Sequence, residues 1–144
     1  MKRLLFGTLL FATLSAEKCA SDKTAGGDVK GMANVLDNKW VLQTLGENAV
    51  TMPDGMAAPW LKLGKEGNTV EGNGGCNALM GSFNMEGDKI SFPGLGSTKK
   101  YCESTMSTEN AFMSALKRVD QFKLDGSLLR LLGGGQELAT LKGE

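Results

Sequence analysis

The clearest strand and turn pattern in this 144-residue chain lies at residues 122–141, FKLDGSLLRLLGGGQELATL. Their short apolar runs are separated by Asp125-Gly126 and by a glycine-rich break at residues 133–136. Asp-Gly between two strand patterns is typical of a type I′ hairpin turn, and the second break predicts another turn. The chain is therefore expected to end in a three-stranded antiparallel meander whose last strand covers residues 137–141.

A helix is predicted before this meander, over residues 107–119. Ser107 is the expected N-cap, and Glu109 lies in the first turn, where the helix dipole favours a negative charge. Phe112, Leu116 and Val119 recur at helical spacing, which places them on one face of the helix. This face is expected to pack on the sheet.

Further upstream, apolar or alternating runs predict several short strands and a long loop. The strands are expected at residues 39–45, 60–63, 68–71, 79–85 and 89–92, and the loop at residues 47–59. Many short strands with one amphipathic helix are typical of an α+β fold. We expect a small curved antiparallel β-sheet or partly open barrel with one packed α-helix, ending in a β-meander.

The first residues have the layout of a secretory signal peptide. Met1-Lys2-Arg3 is basic, residues 4–14 are apolar, and small residues follow. The apolar run is too short to cross a bilayer, which takes about 20 residues. The expected organisation is a signal peptide at residues 1–18, a small, polar tether at residues 19–35 and one domain at residues 36–144.

Two cleavage sites compete in this leader. Cys19 stands where a bacterial lipoprotein carries its acylated cysteine, but Lys18 departs from the small, uncharged residues that precede such a cysteine. Ordinary signal-peptidase cleavage after Ser15 or Ala16 is the alternative. Either cut removes the basic start and leaves a net charge of −2. The expected location is the bacterial periplasm or the outer membrane, with Cys19 as the candidate lipid anchor.

Composition excludes several classes of function. The chain has no histidine, so a Ser-His-Asp triad, a Cys-His dyad or a His-ligated zinc site cannot be built. Its 16 basic and 16 acidic residues balance, which argues against nucleic-acid binding. No P-loop or EF-hand motif occurs in the sequence. We therefore expect no catalytic residues, no metal and no cofactor.

Outside the leader and tether, the cysteines are Cys76 and Cys102. In an exported protein the pair is most simply interpreted as one disulfide. Such a bridge would close a loop of about 26 residues and stabilise the fold by roughly 3 kcal/mol in a chain-entropy model. The alternative is two unrelated buried thiols. A bridge requires Cα atoms about 4.4–6.8 Å apart.

The other residue types that carry chemistry give weak signals. Glu71, Asp88, Glu103 and Glu109 could meet in space, but they are scattered in the sequence, and solvated surface is the plainer interpretation. The methionines of the domain are irregularly spaced. This spacing favours core filling or a pliable apolar surface over Cu(I) binding.

An ordered set of short motifs runs through the middle of the chain. It consists of a Gly-Cys-Asn, a further glycine, a Thr-x-x-x-Cys, a Glu-x-x-Phe-x-x-x-Leu helix and a closing hairpin. The residues are Gly75, Cys76, Asn77, Gly81, Thr98, Cys102, Glu109, Phe112 and Leu116. From about residue 36 to its end, the chain resembles the META domain family, which includes the heat-shock protein HslJ.

These motif residues have a structural interpretation. The glycines are expected at positive φ, and Asn77 is expected to cap a turn with its side chain. Thr98 is expected to bond to local backbone, while Phe112 and Leu116 pack the helix on the sheet. Residues for turns, caps and core are what a fold requires, and a catalytic role is not expected.

The resemblance implies a bacterial envelope protein, in many members a lipoprotein, with a small curved sheet or barrel and no established enzymatic activity. We therefore expect a monomeric, non-enzymatic module that binds an envelope protein or an apolar ligand and supports stress tolerance. One alternative is a lipid-binding barrel similar to the pilot lipoproteins of outer-membrane secretins. Another is a carboxylate-based enzyme or a metal-binding protein.

Overall fold

The computed structural model describes residues 34–144. In this part of the chain, eleven strands form one antiparallel sheet, and helix α1 spans Met106–Arg118. The strands are β1 Lys39–Leu45, β2 Asn48–Ala49, β3 Trp60–Gly64, β4 Thr69–Asn73, β5 Ala78–Ser82, β6 Asn84–Glu86, β7 Lys89–Ser91, β8 Gly96–Ser97, β9 Gln121–Asp125, β10 Leu128–Gly133 and β11 Gln136–Gly143. The predicted signal peptide, Cys19 and nearly all of the predicted tether lie outside the described residues.

The three-stranded meander at the C-terminus is confirmed, since β10 pairs with both β9 and β11. The predicted type I′ turn at Asp125-Gly126 is wrong. Gly126 and Ser127 are the two central residues of that turn, and only Gly126 has a positive φ, 59°, whereas type I′ needs it at both. The next turn has positive φ at both Gly134 and Gly135, which glycine adopts without steric cost.

The sheet curls into a half-barrel, as the many short strands predicted. Its strand order is β6-β7-β9-β10-β11-β1-β3-β4-β5-β8, with β2 added beside β1. Strands β5 and β6 therefore lie near opposite ends of the sheet, although only Phe83 separates them in the chain. The two ends must approach each other, and the Phe83 N–H donates to the Asn68 carbonyl at 3.0 Å.

The core fills the concave side of this curled sheet. On β1, Trp40 and Leu42 point inward and are 3% and 2% exposed, in alternation with more exposed neighbours. Helix α1 packs on β1, β7, β10 and β11. Its Phe112 and Leu116 are buried, as the predicted helical stripe requires. Val119 is also buried, but it follows the helix in an extended conformation, so its place in the helical stripe is wrong.

The start of α1 differs from the prediction. The residue at the N-cap is Thr105, whose side chain makes no capping hydrogen bond, and Ser107 already lies inside the helix. The helix begins early because the N–H groups of Thr105 and Met106 both bond to the carbonyl of Cys102. No helix within residues 34–144 combines the length and apolar character that a membrane crossing requires.

Two short strands were not predicted from the sequence. Strand β2 lies in the predicted long loop, and β8 follows the glycine-rich segment after β7. The predicted strand at residues 79–85 is divided into β5 and β6 at Phe83. Here the chain leaves one end of the sheet and enters the other, which a run of alternating residues cannot reveal.

Candidate functional site

The loop after β4, the segment after β8 and the first turn of α1 meet at one place. We define the Glu109 junction as residues 74–77, residues 98–102 and Glu109. Because Glu109 shares the inward face of α1 with Phe112 and Leu116, its side chain is directed under the loop after β4. Glu109 is 3% exposed, so its interpretation as solvated surface is wrong.

The Glu109 carboxylate accepts three hydrogen bonds from the junction. Oε2 accepts from the backbone N–H of Cys76 at 3.1 Å and of Asn77 at 2.7 Å. Oε1 accepts from Nδ2 of Asn77 at 2.7 Å. Hydrogen bonds to an ionised group are stronger than neutral ones. None of the ion pairs in the described part of the chain involves Glu109, so N–H groups satisfy this buried acid.

Asn77 connects Glu109 to the segment after β8. Its Oδ1 accepts from the Thr98 hydroxyl at 2.8 Å and from the Lys100 N–H at 2.7 Å, and its Nδ2 also donates to the Lys100 carbonyl at 3.0 Å. With the bond to Glu109, the carboxamide uses both donors and both acceptor lone pairs. The expected turn-cap role is therefore wrong, because the side chain bonds to segments more than twenty residues away.

Thr98 has a similar long-range role. Besides donating to Asn77, its hydroxyl accepts from the backbone N–H of Ala78 at 3.2 Å. The Thr98 N–H donates to the Ala78 carbonyl at 3.1 Å. The expectation of bonds to local backbone is wrong, since these partners lie on β5 and in the loop before it.

The glycines of the motif serve two different needs. Gly75 has φ of 118°, which confirms the prediction of a positive φ there. Gly74 is needed for space, because a Cβ at this position would lie 2.5 Å from Cγ of Glu109. Gly81 is also needed for space, since a Cβ there would lie 2.9 Å from the Cα of Leu95. The positive φ expected at Gly81 is wrong.

The two cysteines form a second connection between the loop after β4 and the start of α1, beside the hydrogen bonds of Glu109. Cys76 and Cys102 face each other with Cα atoms 6.0 Å apart, within the range that a disulfide needs. The Cys102 carbonyl also accepts the first N–H groups of α1, so the pair connects the loop after β4 to the start of the helix. Beside it, the Thr105 hydroxyl is buried and has no hydrogen-bond partner among residues 34–144.

The other candidate carboxylates do not join this junction. Glu71 is exposed on β4, Asp88 is exposed in the turn between β6 and β7, and Glu103 is exposed ahead of α1. Within the described residues, no group of three or more His, Cys, Asp or Glu side chains could hold a metal ion. Among the methionines, Met85 and Met113 pack against the core, while Met80 is 53% exposed.

A separate charged cluster lies on the meander, on the exposed side of the sheet. Arg130 donates to Glu137 at 2.9 Å and to Asp125 at 3.1 Å. These hydrogen bonds, with Glu137 contributing most, raise the pKa of the Arg130 guanidinium above its ordinary value. Exposed ion pairs contribute little to stability, and neither of these two pairs belongs to the Glu109 junction.

Solved structures share this fold. An NMR structure of a protein from Burkholderia xenovorans matches with 22% identity and a TM-score of 0.65, covering 94% of this chain and 99% of that chain. A second NMR structure matches with 21% identity and a TM-score of 0.60, covering 76% of this chain and 92% of that chain. The crystal structure of a DUF4847 family protein from Bacteroides vulgatus matches with 16% identity and a TM-score of 0.50, again covering 76% and 92%.

Comparison of the sequence identifies a family but no individual curated relative. No curated protein matches the chain. The META domain family is matched over residues 33–144, a range that contains the whole Glu109 junction. The chain therefore belongs to the META domain family.

Proposed function

We propose that this protein is exported to the bacterial cell envelope, has no enzymatic role, and acts there by binding a protein partner. The sequence of the leader supports export, because a basic start, a short apolar run and small residues follow one another. The observation in the domain that carries most of the proposal is that the Glu109 carboxylate is buried and fully hydrogen-bonded.

A catalytic acid or base must reach a substrate within hydrogen-bond distance. Glu109 is 3% exposed, and both its oxygens already accept N–H groups of Cys76 and Asn77. To reach a substrate it would have to leave these donors unpaired, which costs about 1–3 kcal/mol for each buried group. The motif carboxylate is therefore better suited to holding the junction together than to chemistry.

The lipid-barrel alternative needs an apolar cavity open to solvent, of the size that small-molecule sites have. The concave side of the sheet is instead filled by packed side chains such as Leu61, Leu131 and Phe112. Surface depressions of about 370, 430 and 420 Å³ each have charged residues in their lining, such as Lys62, Lys89 and Arg118. These features favour a protein partner over a buried lipid.

The proposal is tested by fractionation and crosslinking in the native bacterium, with an epitope tag placed after Glu144. We expect the processed chain in the periplasm or the outer membrane, crosslinked to a defined envelope protein. Cys19→Ser separates the two modes of export: release from the membrane indicates acylation, and an unchanged periplasmic location indicates ordinary cleavage. A cytoplasmic, unprocessed chain would contradict export.

Catalysis is tested with purified protein against panels of ester, phosphate, glycoside and peptide substrates. We expect no turnover that depends on Glu109. The matched variants are Glu109→Gln, at the buried position, and Glu103→Gln, at an exposed one. Saturable turnover that Glu109→Gln abolishes and Glu103→Gln leaves intact would overturn the non-enzymatic assignment.

A further inference from the structure

The segment Thr98–Tyr101, which we call the edge segment, directly follows β8, the last strand of the sheet. Strand β8 pairs with β5 and is the final strand in the sheet order, so no strand formed by residues 34–144 lies on its other side. All four residues of the edge segment are exposed. The segment therefore lies at an open sheet edge, the kind of surface to which another chain can add a strand.

Alternate residues of the edge segment bond inward. The Thr98 N–H donates to the Ala78 carbonyl at 3.1 Å, and both backbone groups of Lys100 bond to the Asn77 carboxamide. These inward bonds are two residues apart, which is the spacing of an extended chain, and we infer from it that the backbone groups of Lys99 and Tyr101 face away from the sheet. Within residues 34–144 the N–H groups of Lys99 and Tyr101 find no acceptor.

The edge segment is also held in place before any partner arrives. Asn77 is fixed by Glu109, which accepts its Nδ2 and its backbone N–H, each at 2.7 Å. The Glu109 junction thus supports the inner side of Lys100, while the outer side of the segment makes no backbone hydrogen bond within the described part of the chain. Preorganisation of this kind lowers the entropy cost of binding.

The side chains at this edge indicate the chemistry of the partner. Neither Lys99 nor Lys100 takes part in an ion pair in the described part of the chain, although the processed protein is net acidic. Tyr101 is 80% exposed, and Met80 on β5, opposite Gly96, is 53% exposed. Two unpaired positive charges beside exposed apolar groups are complementary to an acidic segment with apolar side chains.

We propose that the edge segment binds an acidic, extended segment of a partner protein by adding it to the sheet as a strand beside β8. The partner would accept hydrogen bonds from the outward N–H groups of Lys99 and Tyr101, and its acidic side chains would meet Lys99 and Lys100. This inference rests on the proposed function, because it names the surface and the class of protein that the module binds.

The test is a titration of ¹⁵N-labelled protein with the octapeptide Glu-Glu-Val-Val-Glu-Glu-Val-Val, monitored by amide chemical shifts. Its glutamates lie on both faces of an extended chain, as the side chains of Lys99 and Lys100 would. We expect saturable shifts centred on Lys99 and Tyr101, and none with the octapeptide in which lysine replaces glutamate. Binding should weaken at high salt, because exposed charges are screened. Absence of saturable shifts at the edge segment would overturn the proposal.

Variants separate backbone pairing from charge. Lys99→Pro removes an outward N–H without removing a bond to β5 and should weaken binding about tenfold relative to Lys99→Gln, equivalent to roughly 1.4 kcal/mol. The charge variant K99Q/K100Q should weaken binding about fivefold, whereas the matched variant K117Q/K123Q on distant surfaces should change it less than twofold. Equal affinity of Lys99→Pro and Lys99→Gln would contradict strand addition and indicate charge attraction alone.

Failure of this inference can be told apart from failure of the proposed function. In the envelope crosslinking experiment, a partner captured equally by the wild-type chain and by Lys99→Pro would leave the binding module intact and remove the edge segment as its site. A partner lost specifically in Lys99→Pro, with the fold retained by circular dichroism, is the expected result.

Discussion

Asn77 and Glu109 form a hydrogen-bonded unit in which each group has a partner. The Asn77 carboxamide makes four hydrogen bonds, and the Glu109 carboxylate accepts three. Aspartate at position 77 would remove both side-chain donors and place a second acid beside Glu109. This explains at the level of single atoms why the motif contains Asn and Glu rather than two residues of the same type.

Thr105 supplies a prediction at the same scale. Its hydroxyl is fully buried, caps no N–H of α1 and has no partner within residues 34–144. Removing an unsatisfied polar group while keeping the shape of the side chain is neutral or stabilising. Thr105→Val should therefore leave the free energy of unfolding unchanged or raise it by up to about 1 kcal/mol, as measured by urea denaturation.

The matched control is Thr105→Ser, which keeps the hydroxyl and loses the methyl group. It should lower the free energy of unfolding by about 1 kcal/mol because it opens a small cavity. A loss of more than 1 kcal/mol in Thr105→Val would mean that the hydroxyl makes a stabilising hydrogen bond.

At the scale of elements, the cysteine pair and the Glu109 network connect the same segments independently. The variant C76S/C102S should unfold with a free energy lower by roughly 3 kcal/mol, since the unfolded chain regains the entropy of a 26-residue loop. The native circular dichroism spectrum should persist, because the hydrogen bonds of Asn77 and Glu109 remain. Urea denaturation of the variant and of wild-type protein with dithiothreitol measures both effects.

The C76S/C102S variant and the wild-type protein reduced with dithiothreitol should have the same free energy of unfolding within error. If C76S/C102S were unfolded in buffer, the hydrogen-bond network alone could not hold the junction. If its stability equalled that of untreated wild-type protein, the cysteines would not be bridged.

The elements with strong local patterns could be predicted from the sequence. The alternation in β1, the stripe of Phe112 and Leu116, and the positions of the meander turns are local signals, and the structure has all three at nearly the expected places. Strands β2 and β8 have two residues each, too few to show a period. They exist because a neighbouring strand pairs with them.

For the candidate site, the sequence predicted which residues belong to the motif but not how they contact one another. Its motif members were identified, but the burial of Glu109 and the role of Asn77 depend on the approach of segments about 20 to 30 residues apart. Lys100 was missed because it takes part through its backbone, which carries no residue-type signal. Gly74 provides space, which only the position of the Glu109 side chain shows.

At the scale of the whole molecule, the half-barrel joins its two ends through Phe83. Its side chain is 2% exposed and belongs to the same core cluster as the residues of α1 and the meander. One continuous core predicts one cooperative unfolding transition. Fluorescence of Trp40 and Trp60 and far-UV circular dichroism should therefore report the same midpoint in urea.

Phe83→Ala should move both midpoints together, by an amount corresponding to about 3–5 kcal/mol. Met80→Ala, at an exposed position on β5 three residues before Phe83, should change them little. Two separate midpoints in the wild-type protein would show that the sheet and the helix unfold as different units.

If the motif residues hold the fold together, Asn77 and Glu109 should be energetically coupled, which a double-mutant cycle measures. Each single alanine variant should lower the free energy of unfolding by about 3 kcal/mol, and the double variant by less than the sum, with a coupling energy of about 1–3 kcal/mol. The control cycle of Asn77→Ala with Glu103→Ala should be additive within about 0.5 kcal/mol. Additive losses at Asn77 and Glu109, or single variants as stable as wild type, would contradict the claim.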